Sequence, residues 1–268
     1  MRVALGQFAV HREWQKNADY VISAIREASE NKADLLVLPE GVLARDIDDP
    51  DIVLKSCQEL DGPFMMQVLE ESKAHALTLM MTIHVPARPG FVFNTFVCIR
   101  QGEIIGTYRK LHLYDAFTAK ESESVQPGDE VPPLIDVAGI KVGLMTCYDV
   151  RFPEMARRLV LDGAQVIALP SAWVRGPLKE AHWETLVTAR ALENTCYVVA
   201  VGECGPRNIG ASMVVDPLGV AIVRAGEAPI MLYATIDVKR IAHARSVLPV
   251  LENMRFRGPE LAHDTENN

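Results

Sequence analysis

Lys141-Val142-Gly143-Leu144-Met145-Thr146-Cys147-Tyr148-Asp149-Val150-Arg151-Phe152-Pro153-Glu154 decides how this chain is read. The first half is a nearly unbroken apolar run, the mark of a strand buried on both faces. The second half turns into a helix that Pro153 can start and that ends at Gly163. Cys147 falls between the two, at the carboxyl end of the strand, where ligands of α/β proteins gather. A lone cysteine in such a place is ordinarily a core residue. Here a sharp turn into the Pro153 helix can hold the sulfur exposed, and the amino end of that helix would modestly favour a thiolate.

Two more reactive side chains follow apolar runs in the same way. Glu40 ends Leu35-Leu36-Val37-Leu38-Pro39, and Lys110 follows Ile104-Ile105-Gly106-Thr107-Tyr108-Arg109. Taken alone, the first is a loop carboxylate and the second a surface lysine. An acid placed directly after five apolar residues is costly to bury without a partner. Partial burial would raise its pKa and suit it to take a proton near neutral pH. A fixed ammonium can stabilise a developing oxyanion. A base, a cation and a nucleophile are what covalent hydrolysis of a carbon–nitrogen bond needs.

Working outward, strand-like and helix-like stretches alternate. Strands are expected at 3–10, 33–39, 77–85, 91–100, 103–108, 141–145, 166–169, 197–201, 212–215, 220–224 and 231–236, with a hairpin at Gln101-Gly102. Helices are expected at 14–32, 62–76, 153–163, 179–194 and 237–247. The polar stretch 119–133, with Gln126-Pro127-Gly128-Asp129 as its turn, reads as a surface loop. This alternation predicts α/β layers. About a dozen strands would make one open sheet awkwardly wide, so two sheets are expected.

Composition narrows the function classes. The 268 residues carry 27 basic and 35 acidic side chains, a net charge of −8, and no basic cluster, which argues against nucleic acid or an anionic membrane as partner. No apolar run approaches about 18 residues, so no membrane span is expected. The first apolar run is too short for a signal segment and reads as a strand. Five scattered cysteines fit free thiols in a reducing cytoplasm. There is no G-x-G-x-x-G after the first strand, no Walker-type Gly-Lys-Ser/Thr, and no C-x-x-C or H-E-x-x-H spacing for zinc.

Leu38-Pro39-Glu40, Tyr108-Arg109-Lys110-Leu111-His112-Leu113 and Cys147-Tyr148-Asp149-Val150-Arg151-Phe152-Pro153-Glu154, in that order, resemble the motifs of the nitrilase superfamily, the carbon–nitrogen hydrolases. The resemblance runs through nearly the whole chain. It implies a four-layer α-β-β-α sandwich in one domain over 1–258 and pairing into a homodimer, while the polar residues 259–268 read as a mobile tail. It implies Glu40 as general base, Lys110 as oxyanion cation and Cys147 as nucleophile, with the Tyr148 N–H as second oxyanion donor. A second active-site glutamate is implied at Glu121 or Glu123, and the spacing to Pro127-Gly128-Asp129 favours Glu121. A thioester intermediate is implied, with no metal and no organic cofactor. Arg190 and Glu193 match a structural ion pair. At Ala211 the chain departs from its relatives, which often carry a larger polar residue there.

The Cys147–Glu154 motif and Ala181-His182-Trp183-Glu184 resemble the Nit branch, which implies a small carboxylate-bearing amide as substrate, split into acid and ammonia. Deaminated glutathione stands ahead of α-ketoglutaramate on overall resemblance, not on any one residue. Nitriles and N-carbamoyl compounds are alternatives. Arg175 is the candidate for the substrate carboxylate and Trp173 for a pocket wall. Two rival readings are a Cys–His–Asn hydrolase using His112 or His182, and a catalytically silent module of the same fold.

Overall fold

The apolar runs become strands buried on both faces, and a computed structural model describes them together with residues 1–262 except 47, 50 and 118. In chain order the strands are β1 (Arg2–Gln7), β2 (Leu35–Val37), β3 (Thr78–Pro86), β4 (Val92–Arg100), β5 (Glu103–Arg109), β6 (Asp115–Ala116), β7 (Ala119–Lys120), β8 (Ile135–Val137), β9 (Ile140–Leu144), β10 (Val166–Ser171), β11 (Tyr197–Gly202), β12 (Met213–Val215), β13 (Ala221–Arg224) and β14 (Ile230–Thr235). The helices are α1 (Trp14–Glu30), α2 (Ile52–Ser56), α3 (Pro63–Ser72), α4 (Pro153–Leu161), α5 (Lys179–Asn194) and α6 (Val238–Val247).

Two six-stranded sheets result, in the orders β14-β1-β2-β3-β4-β5 and β13-β12-β11-β10-β9-β8. The centres of both are parallel, β1-β2-β3 in one and β9-β10-β11 in the other. Strand alternation sorts their side chains between two cores. Val3, Leu5, Leu35 and Val37 join Val142, Ala168 and Val199 of the other sheet. Ala4 and Leu36 instead meet Ala18, Val21 and Ile25 of α1 and Phe64 and Val68 of α3. Helices α4 and α5 cover the outer face of the second sheet. The layers therefore run helix, sheet, sheet, helix, as the resemblance implies.

Local chemistry explains the helix ends. In α1 the buried residues Asn17, Ala18, Val21, Ala24, Ile25 and Ala28 fall on one stripe at helical spacing. Pro153 takes the first turn of α4, where its missing N–H costs nothing, and Gly163 follows at φ +114°. The elements absent from the sequence reading are short: α2, β6, β7, β8 and two 3-10 turns at Glu121–Glu123 and Cys147–Arg151. Pieces of two to five residues hold too few side chains to express a period. The stretch 119–133 is not a free surface loop. The Val92 N–H donates to Ser124 O at 2.9 Å and the Gln126 N–H to Val92 O at 2.8 Å, which pins it to the start of β4. The tail begins docked as well, since Arg158 donates to Pro259 O at 3.3 Å, while 263–268 lie outside the described residues.

One buried side chain ties the sheets together. Gln7, with no exposure at the end of β1, accepts from the Ser212 N–H at 2.9 Å and hydroxyl at 2.7 Å. Its amide donates to Gly226 O at 2.8 Å and Ala228 O at 2.7 Å. Ala211 next to it is in the left-handed region at φ +53°, and its carbonyl accepts from Trp183 Nε1 at 2.9 Å. Gln7→Leu keeps the volume and strands these partners. We expect it to lower stability by roughly 1–3 kcal/mol in urea unfolding, and an unchanged midpoint would show that water replaces the amide.

Candidate active site

Four strand ends meet at one edge of the sandwich. Glu40 follows β2, Lys110 follows β5, Cys147 follows β9 and Ala172 follows β10. The Glu40 N–H donates to Ser171 O at 3.5 Å, so the ends of β2 and β10 touch across the two sheets. Between them lies a cavity of about 670 Å³ whose wall includes Glu40, Lys110, Glu121 and Cys147.

The turn that carries Cys147 is strained and held. Thr146 is extended at φ −122°, and Cys147 lies in the left-handed region at φ +46°, a conformation a side chain disfavours. Asp149, fully buried, accepts from the Thr146 N–H at 2.8 Å and closes the turn. It also accepts from Tyr108 Oη at 2.9 Å, from the His112 N–H at 3.2 Å and from His112 Nδ1 at 2.8 Å. Tyr108 and His112 flank Lys110, so one carboxyl group fixes the cysteine turn against the lysine strand. Burial, then the neighbouring Asp149, push the Tyr108 phenol well above its ordinary range, which keeps it a donor. From the far side Arg190 donates to Val150 O at 2.8 Å and pairs with Glu193 at 2.6 Å. Gly128 backs the lysine strand: a Cβ there would sit 2.2 Å from Arg109 O, so only glycine lets its N–H reach Lys110 O at 2.8 Å.

Charge is concentrated at Lys110. Its Nζ lies 3.0 Å from Glu40 Oε1 and 2.8 Å and 3.1 Å from the two oxygens of Glu121. Asn94 Nδ2 donates to Glu40 Oε1 at 2.8 Å, and the Ala172 N–H donates to Glu40 Oε2 at 2.9 Å. Arg45 stands 4.0 Å from the same carboxylate. Burial opposes the Lys110 ammonium, but Glu121 and then Glu40 outweigh it and hold it charged well above its ordinary range. Burial likewise favours a neutral Glu40, yet Lys110 and then Arg45 prevail and bring its pKa down. The sequence expectation of a raised Glu40 is thereby corrected: burial comes with two cations, not with an apolar wall. Burial and then Glu40 push the Cys147 thiol up, and Lys110 pulls against them.

The structure brings Glu121, not Glu123, to Lys110. Glu123 is at the cavity rim, 72% exposed and 3.8 Å from Lys120. Tyr148 and Trp173 line the cavity. Arg175 does not: its guanidinium turns outward to Glu227 at 2.9 Å, and among the described residues the cations in the wall besides Lys110 are Lys179, Arg207, Arg45 and Lys120. The reason is local, because Val174 bridges Asn208 and the Arg175 N–H donates to Arg207 O, which sets the outward direction of that strand end. Neither His112 nor His182 reaches the cavity wall. His84 does, and burial, then Arg45, lower it to about 3, so it is neutral. Asn94 was missed in the sequence, where a lone amide within an apolar strand was its only mark, and Asp149 was marked only by its place in the cysteine motif.

A family model described as Carbon-nitrogen hydrolase matches residues 2–246. The chain is 52% identical to deaminated glutathione amidase of Escherichia coli O157:H7, over 97% of this chain and 100% of the relative. The NitFhit protein of C. elegans superposes with a TM-score of 0.86 at 32% identity, over 95% of this chain and 65% of that one. A glutamate-to-glutamine mutant of an amidase from Nesterenkonia sp. AN1, whose active-site cysteine took up acrylamide by Michael addition, superposes with a TM-score of 0.80 at 27% identity, over 93% and 98% of the two chains.

The lowered Glu40 makes acid stability a readout of the charge array. A carboxyl that binds its proton more weakly when folded adds stability in full above its ordinary 4.5 and loses it as pH falls toward about 2. Glu40→Gln should cost about 3 kcal/mol at neutral pH, and urea unfolding should show that gap narrowing as the buffer is taken below 4.5. A gap that does not change with pH would contradict the pairing.

Proposed function

Because the chain belongs to the carbon-nitrogen hydrolase family, we propose that Cys147 cleaves a carboxylate-bearing amide through a thioester, with Glu40, Lys110 and Glu121 as its catalytic partners. The observation that carries this reading is the buried Lys110 ammonium, clasped by Glu40 and Glu121 in the cavity wall that holds Cys147. Glu40 takes the thiol proton as Sγ bonds to the amide carbon. A resting thiol pushed up beside a carboxylate pulled down does not ionise in advance, so transfer accompanies attack. The new oxyanion faces Lys110 Nζ and the Tyr148 N–H. Glu40 returns the proton to nitrogen, the C–N bond breaks and the amine leaves. Water then adds to the thioester, giving its proton to Glu40, and the sulfur departs and is reprotonated. Glu121 keeps Lys110 in place while Glu40 changes its proton count.

The substrate proposed is deaminated glutathione, on the strength of the full-length similarity to the E. coli amidase. Its scissile nitrogen belongs to the cysteinylglycine portion. The products are then an α-keto diacid and that dipeptide, and ammonia leaves only from a primary amide such as α-ketoglutaramate. This amends the acid-plus-ammonia expectation on chemical grounds. Residues 1–258 are assigned to one catalytic domain. A homodimer is supported by apolar side chains left exposed at Ile222, Ile230, Val238 and Val247. Free thiols at Cys57, Cys98, Cys147, Cys196 and Cys204 support a reducing cytoplasm. Among the described residues no helix is long and apolar enough to cross a membrane.

The test is turnover of deaminated glutathione, α-ketoglutaramate, a nitrile and an N-carbamoyl amino acid by wild type and Cys147→Ala. Deaminated glutathione should be the best substrate, with keto diacid and dipeptide appearing together. Cys147→Ala should lose at least about 10³-fold, and Lys110→Gln about 10²-fold in kcat. Wild type turning over none of the four would overturn the reading.

A further inference from the structure

Lys179 is the first residue of α5, and only 6% of it is exposed. It stands in the wall of the catalytic cavity, yet its surroundings differ from those of Lys110. Among the described residues its Nζ makes one hydrogen bond, to Tyr114 Oη at 2.7 Å, and no ion pair. The nearest compensation is aromatic: the rings of Phe117, Tyr114 and Trp173 have their centroids 4.2, 4.9 and 5.5 Å away.

Magnitudes show that this environment is incomplete. A cation over a ring face gains roughly 0.5–2 kcal/mol, whereas taking an unpaired ammonium out of water costs several kcal/mol. An ammonium has three donors, and one is satisfied by Tyr114. The helix makes the balance worse, because its amino end carries a partial positive charge that favours acids and repels cations. The backbone around Lys179 is set firmly, with Leu178 in the left-handed region at φ +61° and Trp173 Nε1 donating to Lys179 O at 2.9 Å. A buried cation, a helix amino end and two free donors at one wall of a cavity are a site for an anion.

We propose that Lys179 receives a substrate carboxylate and is the residue that makes this cavity prefer anionic amides. The proposal rests on the amidase reading above and names the specificity residue of that same cavity. Arg207, also in the wall, is exposed. Lys179, buried in the wall that holds Cys147, takes the carboxylate of the acyl part, the part retained in the thioester, whereas Arg207 faces solvent. This replaces the role that the sequence assigned to Arg175.

The experiment compares wild type, Lys179→Met and Lys179→Arg in two ways. The first is the ratio of kcat/KM for α-ketoglutaramate to that for pentanamide, a neutral amide of the same chain length. The second is the ratio of alkylation rates of Cys147 by iodoacetate and by iodoacetamide, read by peptide mass. We expect Lys179→Met to lower both ratios at least about 10-fold, the first through KM, and Lys179→Arg to keep most of each. Ratios within about twofold of wild type in Lys179→Met, or an equal loss with both partners of a pair, would overturn the proposal. If wild type hydrolyses no amide, the amidase reading fails by itself, and the alkylation ratio still decides for or against an anion site at Lys179. If Lys179→Met does not fold, Lys179→Gln takes its place in both comparisons.

Discussion

Water barely reaches Lys110, 2% exposed, and two carboxylates, Glu40 and Glu121, close on its Nζ at 3.0 and 2.8 Å. The rest of the structure is arranged around that constraint. A buried charge is tolerated only when it is paired and hydrogen-bonded, and here each partner comes from a different place. Lys110 follows β5, Glu40 follows β2, and Glu121 stands on a 3-10 turn pinned to β4. Glu40 then reaches across the sandwich to the Ala172 N–H at the end of β10. The ion cluster therefore exists only if both sheets are packed in one relative position. With Arg45 at its edge, the group holds two carboxylates and two cations, which lowers the cost of burying any one of them.

A second knot places the sulfur against this cluster. The Asp149 carboxyl joins the turn at Thr146 to the Tyr108 hydroxyl and to His112. The strained φ at Cys147 persists because this network over-determines it. The interactions that bury charge are in consequence the same ones that set Cys147, Glu40 and Lys110 around one cavity.

Much of this was readable in the sequence, and the physical reason is plain at particular residues. Glu40, Lys110 and Cys147 each follow a long apolar run, and a reactive group after a buried strand has few places to go but the strand-end crevice. The alternation of continuous apolar runs, at β1 and β2, with the helical spacing of α1 made the layers visible. Asn94 and His84 were not readable as site residues, because a polar side chain within a strand gains its meaning from the neighbouring strand, and that register is non-local. The outward turn of Arg175 and the place of Lys179 in the cavity wall were hidden for a reason of the same kind. Four positions apart, they differ in direction through a left-handed Leu178 and a bridge to Asn208, neither of which composition announces. The pKa of Glu40 went the other way from expectation because burial alone was weighed, without the cations that accompany it.

Covalent chemistry at Cys147, inside the Glu40–Lys110–Glu121 cluster, is the central proposal. Acid-quenched mixing with deaminated glutathione, followed by intact-protein and peptide mass measurement, tests it most directly. The account predicts a transient adduct with the mass of the α-keto acyl group, located on the peptide that carries Cys147 and removed by hydroxylamine as a thioester. Product formation with no adduct at any quench time under saturating substrate, or an adduct on a different side chain, would contradict it.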